Sequence, residues 1–307
     1  MAYFRRGLSE EFVAALNDER GKGTWWDKII QDHDLFVAVR NEYINVYYQG
    51  NSLVKLGFSR GEIVADVHYK YLIKPTLASG RNVMVRADGE MQFISQNGLV
   101  NFQEYLTCHL DEISAIKKAS TAYGGVEKEG IQKILKSNGN IVDLEIALTH
   151  EDESAGTKTA KRIDFSALQK TADGYELVFF EVKDYGNAEL KAGGDALPPV
   201  AREQIPTYEH LLAKYGADIK ESYEHICKNL MALLPDRDFD PALGAIADGA
   251  DFRVNTKPRL VVFGFDADQK KGTLFQARME KLKQALGRDR VLLKGNPTGF
   301  CGGISRV

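Results

Sequence analysis

The stretch Arg162–Lys183, RIDFSALQKTADGYELVFFEVK, constrains this chain more than any other. It reads as two β-strands joined by a turn at Ala172-Asp173-Gly174. The first strand carries an acid, Asp164, directly after an apolar residue. The second is an almost unbroken apolar run, Leu177-Val178-Phe179-Phe180, and ends in Glu181-Val182-Lys183. Side chains alternate along a strand, so Glu181 and Lys183 share one face while Val182 turns to the other. So apolar a strand reads as buried on both faces. An acid and an amine at its end are then costly unless something uses them.

Acid-any-Lys triplets arise often in a chain with 27% charged residues, and Glu189-Leu190-Lys191, Asp218-Ile219-Lys220 and Asp268-Gln269-Lys270 are further cases. None of those ends a long apolar strand that follows an acid-bearing strand, whereas the triplet at 181–183 does both. On pattern alone it serves either as a catalytic set or as a satisfied structural ion pair. Two carboxylates brought close together repel, and a divalent cation relieves the repulsion. All-oxygen ligation suits Mg²⁺ or Mn²⁺.

Asp164 followed by Glu181-Val182-Lys183 in the next strand resembles the signature of the PD-(D/E)XK nuclease superfamily. Downstream, Gln204-Ile205-Pro206-Thr207-Tyr208 is similar to the Gln-x-x-x-Tyr element of its RecB-like branch, and EVKDYGNAEL (181–190) looks like nuclease domains of bacterial defence proteins. The Pro of the family name is absent, Ile163 preceding Asp164, at a position that varies in the superfamily. The resemblance covers about residues 125–295. It implies a restriction-endonuclease-like α/β core of three α/β/α layers with a mixed sheet, and a Mg²⁺- or Mn²⁺-dependent phosphodiesterase acting on nucleic acid, DNA first, in defence or repair. Asp164, Glu181 and the Val182 carbonyl would ligate the metal. Lys183 would orient the water or stabilise developing charge. A further acid from the first core helix or strand falls on Glu129 or Glu145, with Glu127 behind them. Their alternative roles are a solvated helix charge for Glu129 and an ion-pair partner for Glu145. Gln204 and Tyr208, one helical turn apart, would bind the substrate phosphate or hold Lys183. Arg202 and Lys191 are candidate phosphate binders. A non-catalytic subunit that keeps the fold within a larger assembly is the alternative, and a metal enzyme acting on a small molecule a third reading.

A chain of 307 residues can bury a sizeable core and exceeds one typical domain. Its net charge of −3 gives no global pull toward nucleic acid, so a nuclease of this composition needs a local basic patch. The cysteines, Cys108, Cys227 and Cys301, lie far apart with no C-x-x-C pair, which argues against a disulfide framework or a zinc site and for a reducing cytoplasm. The opening residues have charge but no apolar segment behind them, and no stretch has the length of a membrane span. A homodimer or a partner protein is compatible with all of this.

Two parts are expected: an N-terminal α+β domain over 1–105, recognising substrate or a partner, and the nuclease-like domain over 106–307, with the boundary near 90–108. In the first part a helix is expected over 7–20, closed by Gly21. Strands follow at LFVAVR, YINVYYQ, SLVKLGF and VADVHYKYLI, with turns at Asn41-Glu42 and Gly50-Asn51, making an antiparallel meander. Trp25-Trp26 fits a core role or base stacking. Tyr43, Tyr47, Tyr48, Tyr69 and Tyr71 interleave with Arg40, Lys55 and Lys70, as on a nucleic-acid surface or a half-buried sheet. In the second part helices are expected over 110–119, 126–136, 200–215, 218–234 and 275–286. Strands are expected at 142–148, across the opening stretch, at 259–265 and at RVLLKG. Segments 150–161, 186–198 and 235–251 read as loops, and Pro206 implies a kink or a helix start near Gln204.

Overall fold

Short apolar runs punctuated by turn residues leave the first part of the chain few options besides a meander. The computed structural model describes residues 4–71, 82–85, 89, 91–92, 110–152 and 157–299. After α1 (Glu10–Glu19) and α2 (Trp25–Gln31), strands β1 (Phe36–Val39), β2 (Tyr43–Tyr48), β3 (Asn51–Ser59) and β4 (Glu62–His68) pair antiparallel in sequence order. Short β5 (Asn82–Val85) and β6 (Met91–Gln92) extend the sheet to six strands. Two hairpins turn on residue pairs with positive φ, Gln49-Gly50 and Arg60-Gly61. This is the two-residue turn whose twist matches the flanking strands. The expected Gly50-Asn51 turn therefore lies one residue earlier, and Asn51 begins β3. Trp25 and Trp26 are 3% and 0% exposed, which places the pair in the core. The expected fourth strand is cut short: β4 stops at His68, whose Nδ1 accepts from the Lys70 amide at 3.2 Å, and Tyr69–Tyr71 forms a 3-10 turn. A side chain bonding its own backbone competes with the sheet ladder at that point. Most of 72–109, including the expected domain boundary, lies outside the described residues. The helix expected over 110–119 forms as a 3-10 turn followed by α3 (Ile113–Ser120).

The rest mixes runs of strands with runs of helices. It comprises α4 (Val126–Lys136), β7 (Ile141–Asp152), β8 (Thr157–Thr171), β9 (Gly174–Asp184), α5 (Ile205–Lys214), α6 (Gly216–Leu233), α7 (Pro241–Ala247), β10 (Phe252–Val254), β11 (Arg259–Phe263), α8 (Ala267–Lys271), α9 (Thr273–Leu286) and β12 (Val291–Leu293). The sheet is mixed, in the order β12-β11-β9-β8-β7: β7, β8 and β9 are antiparallel, β11 and β12 run parallel to β9, and β10 pairs with the first half of β9. The 150–161 stretch is not a loop over most of its length. Pairs such as Glu151↔Lys158 and Asp152↔Thr157 carry the ladder outward, helped by β-branched Thr149 and Thr159. Within 235–251, Asp240 caps α7 by accepting from the Ala242 amide at 2.9 Å, with Pro241 in the first turn. Pro206 likewise stands in the first turn of α5, preceded by a π-helical turn at Val200–Gln204.

Register fixes the two faces of the mixed sheet. Phe165 stands opposite Phe180, and their rings stack at 4.8 Å. Alternation and pairing put Val182 and Phe263 on the same face, where α4 approaches so closely that Gly130 lies against the Phe263 ring. On the other face, the Ser166 hydroxyl donates to Tyr223 of α6 at 3.0 Å, and the Tyr223 hydroxyl donates to the wholly buried Asp143 at 3.3 Å. Helices thus cover both faces. Cys227 is a buried free thiol whose pKa burial pushes up to about 12, so it is inert at neutral pH. Among the described residues no helix is long and apolar enough to cross a membrane.

The chain divides into two compact units interleaved in sequence. One comprises Met1–Arg5, Glu129–Cys227 and Asp238–Val307, and the other Arg6–Lys128 and Lys228–Arg237.

A Cβ at Gly130 would sit 2.4 Å from Phe263 Cζ. Gly130→Ala is therefore expected to destabilise by about 1–3 kcal/mol through overpacking, outweighing the gain in helix propensity of about 1 kcal/mol. Urea unfolding checks this, and equal or higher stability would mean the ring gives way freely.

Candidate active site

Three neighbouring strands deliver three acids to one row. The Phe165↔Phe180 pair puts Asp164 of β8 beside Glu181 of β9. The pairs Leu144↔Phe165 and Ile146↔Ile163 put Glu145 of β7 across from Asp164. Glu145 has φ +53, whereas the other non-glycine residues with positive φ among those described, Glu42, Gln49 and Arg60, lie outside the strands. A left-handed residue inside a strand costs about 1–2 kcal/mol, and here that cost falls on the residue facing Asp164.

Burial raises the Asp164 pKa well above the ordinary carboxylate value, and the Glu181 charge adds to it, with a smaller push from Glu145. The Val182 amide, donating to Asp164 Oδ2 at 2.6 Å, and the Lys183 charge oppose this without cancelling it. Glu181 is 2% exposed. Its Oε1 accepts from Gln204 Nε2 at 2.6 Å and pairs with Lys183 Nζ at 2.8 Å. Lys183 Nζ also pairs with Glu189 Oε2 at 2.6 Å. Burial alone would lower the Lys183 pKa, but the Glu181 and Glu189 carboxylates more than offset it, and the group stays an ammonium. Tyr208 donates to the Arg162 carbonyl and accepts from Gln204 Nε2 at 2.9 Å. Burial, then the Glu181 charge, raises its pKa, so it remains a neutral phenol.

The structure therefore brings together Asp164, Glu181, Lys183, Gln204, Tyr208 and, through its charge, Glu145. Glu129 is exposed on α4 and is not among the charges acting on Asp164. Val182 contributes its amide here, and its side chain packs into the opposite face. Gln204 holds Glu181 rather than Lys183: a buried carboxylate needs donors, and the amide supplies one where Lys183 has acceptors already. Arg202 pairs with the adjacent Glu203, and Lys191 is exposed. Glu189 went unrecognised in sequence because its own acid-any-Lys triplet does not end a strand. The available signal was Asn187, two residues earlier, whose side chain caps the 3-10 turn at Ala188–Leu190 by accepting from the Glu189 amide at 2.7 Å.

The donor set fits a hard cation that keeps most of its water. Gln204 Oε1 is buried with no hydrogen-bond partner among the described residues, beside two carboxylates whose mutual repulsion a positive charge would relieve. No group of three or more His, Cys, Asp or Glu close enough to enclose a metal occurs among the described residues. Mg²⁺ is usually held by only one or two carboxylates together with substrate phosphates. Comparison of the chain with family models, curated proteins and solved structures finds no match in any of the three.

Because Asp164 binds its proton more tightly folded than unfolded, the native state is penalised as pH rises from the ordinary value of 3.8 through the raised folded value. Asp164→Asn removes that penalty. In chelator at neutral pH it should raise the melting temperature, by about 2–4 °C for each kcal/mol relieved, with no difference at strongly acid pH. An unchanged or lower melting temperature at neutral pH would contradict this.

Proposed function

We propose that the chain is a metal-dependent nuclease that hydrolyses phosphodiester bonds, with DNA as the substrate, acting in the cytoplasm in defence or repair. The observation that carries this reading is the convergence of Asp164, from the middle of β8, with Glu181 and Lys183 near the end of β9, where Gln204 donates to Glu181 and Tyr208 holds Gln204. The order α4, β7, β8, β9, α5 and then, after α6, α7 and β10, β11 follows the helix–strand–strand–strand–helix–strand sequence expected of a restriction-endonuclease-like core, which supports the reading.

Asp164, Glu181 and the Val182 carbonyl are the groups that would hold Mg²⁺ or Mn²⁺, with Glu145 a further acid whose charge acts on Asp164. When bound, such an ion lowers the pKa of a water and offsets charge on the phosphate. The chain's own contributions follow from the geometry. Lys183, kept protonated by its carboxylate partners, supplies fixed positive charge for an oxygen that becomes more negative, and acts electrostatically rather than as a base. Gln204 fixes the orientation of Glu181, and Tyr208 ties Gln204 to the β8 backbone through the Arg162 carbonyl.

The test is cleavage of plasmid and linear DNA with Mg²⁺ or Mn²⁺. Wild type should cut, and Asp164→Ala and Lys183→Ala should each lose activity by at least about 10²–10³-fold. Equal cleavage by all three would end the reading. A wild type that binds DNA and Mn²⁺ without turnover would instead favour a nuclease-fold binding subunit.

A further inference from the structure

The end of β9 leads directly into a rigid turn that returns a third carboxylate to the site. After Asp184 the Asn187 side chain accepts from the Glu189 amide at 2.7 Å, the Leu190 amide donates to the Asn187 carbonyl at 3.3 Å, and Leu190 is wholly buried. The backbone of Glu189 is thereby pinned from both sides, while its side chain, 45% exposed, reaches back to Lys183 Nζ at 2.6 Å. Lys183 thus stands between a buried carboxylate, Glu181, at 2.8 Å and a solvent-facing one, Glu189.

That placement answers a difficulty inherent in the nuclease reading, on which this inference rests. Glu181 Oε1 serves Lys183 and Gln204 at once. If Glu181 turns oxygen toward a divalent cation, Lys183 loses part of its buried ion-pair partner and faces a like charge at close range. With no other carboxylate, the ammonium would either compete for Glu181 or swing away. We propose that Glu189 is a positioning residue for Lys183, holding the ammonium at the site when Glu181 is shared with a cation. Glu189 acts through Lys183 and need not touch substrate or metal.

The test is calorimetric titration of the full chain with Mn²⁺ alone, comparing wild type, Glu189→Gln, Glu189→Asp, Lys183→Met and the double variant Lys183→Met/Glu189→Gln, each first checked for an unchanged melting profile. Gln matches Glu in size at a partly exposed position, so the fold should persist. Glu189→Gln should weaken Mn²⁺ binding by about 10–100-fold, as loss of a supporting partner around a metal site does. Glu189→Asp should recover part of the loss. In the Lys183→Met background the same Glu→Gln change should cost far less, because the group through which Glu189 acts is gone. An equal cost in both backgrounds would mean a plain long-range charge effect and would overturn the proposal, as would unchanged affinity in Glu189→Gln. If wild type binds no Mn²⁺ at all, the nuclease reading fails first and takes this inference with it.

Discussion

A carboxylate that is 2% exposed at the end of an apolar strand must be compensated, and much of the mixed-sheet unit is arranged to do so. Moving an unpaired charge out of water costs several kcal/mol even after relaxation. Glu181 meets that cost with an ammonium from its own strand and an amide from α5. The π-helical turn ahead of Pro206 and the helix it opens bring Gln204 and Tyr208 to bear on Glu181 and on the backbone of β8. Elsewhere on the same face the wholly buried Asp143 is met by the Tyr223 hydroxyl, which in turn accepts from Ser166.

The central pair of strands was legible because its signals are local: an apolar run, a turn triplet, and charges at fixed parity. Parity alone put Glu181 and Lys183 on one face, and their ion pair follows from it. What parity cannot give is who else comes to that face. The amide of Gln204 goes to Glu181 because of how α5 docks, a tertiary fact, and Glu189 returns to Lys183 over a cap whose meaning depends on where β9 ends. The positive φ of Glu145 has no sequence signature, since nothing about Glu favours that conformation. The misjudged 150–161 stretch shows the same limit from the other side. Its polar composition reads as loop, but the β7–β8 ladder runs on through 150–152 and 157–161, because ladder bonds outweigh composition. The small elements β10, α7 and α8 were too short for periodicity to register.

In the other unit, the alternation of tyrosines with basic residues has an internal explanation. Lys55 lies over the Tyr43 ring at 4.5 Å and Lys117 over Tyr48 at 4.8 Å, and Lys70 sits 4.8 Å from both Tyr71 and Tyr123. Lys117 also bonds Asp32 at 2.6 Å. Cations resting on neighbouring aromatic faces gain stabilisation without any ligand, so the pattern alone does not call for one. The Trp25-Trp26 pair resolves similarly, by burial.

The interleaving of the two units along the chain has a bearing on biosynthesis. Phe4 stacks on Tyr223 at 6.2 Å, and its carbonyl accepts from Ser222, 218 residues downstream. At about 5–20 residues translated per second, the leading residues leave the ribosome on the order of ten seconds or more before the helix they pack against exists. For that interval Phe4 waits for its seat. Truncating the Phe4 side chain would therefore disturb the unit that carries the acids, and not the meander that directly follows it in sequence.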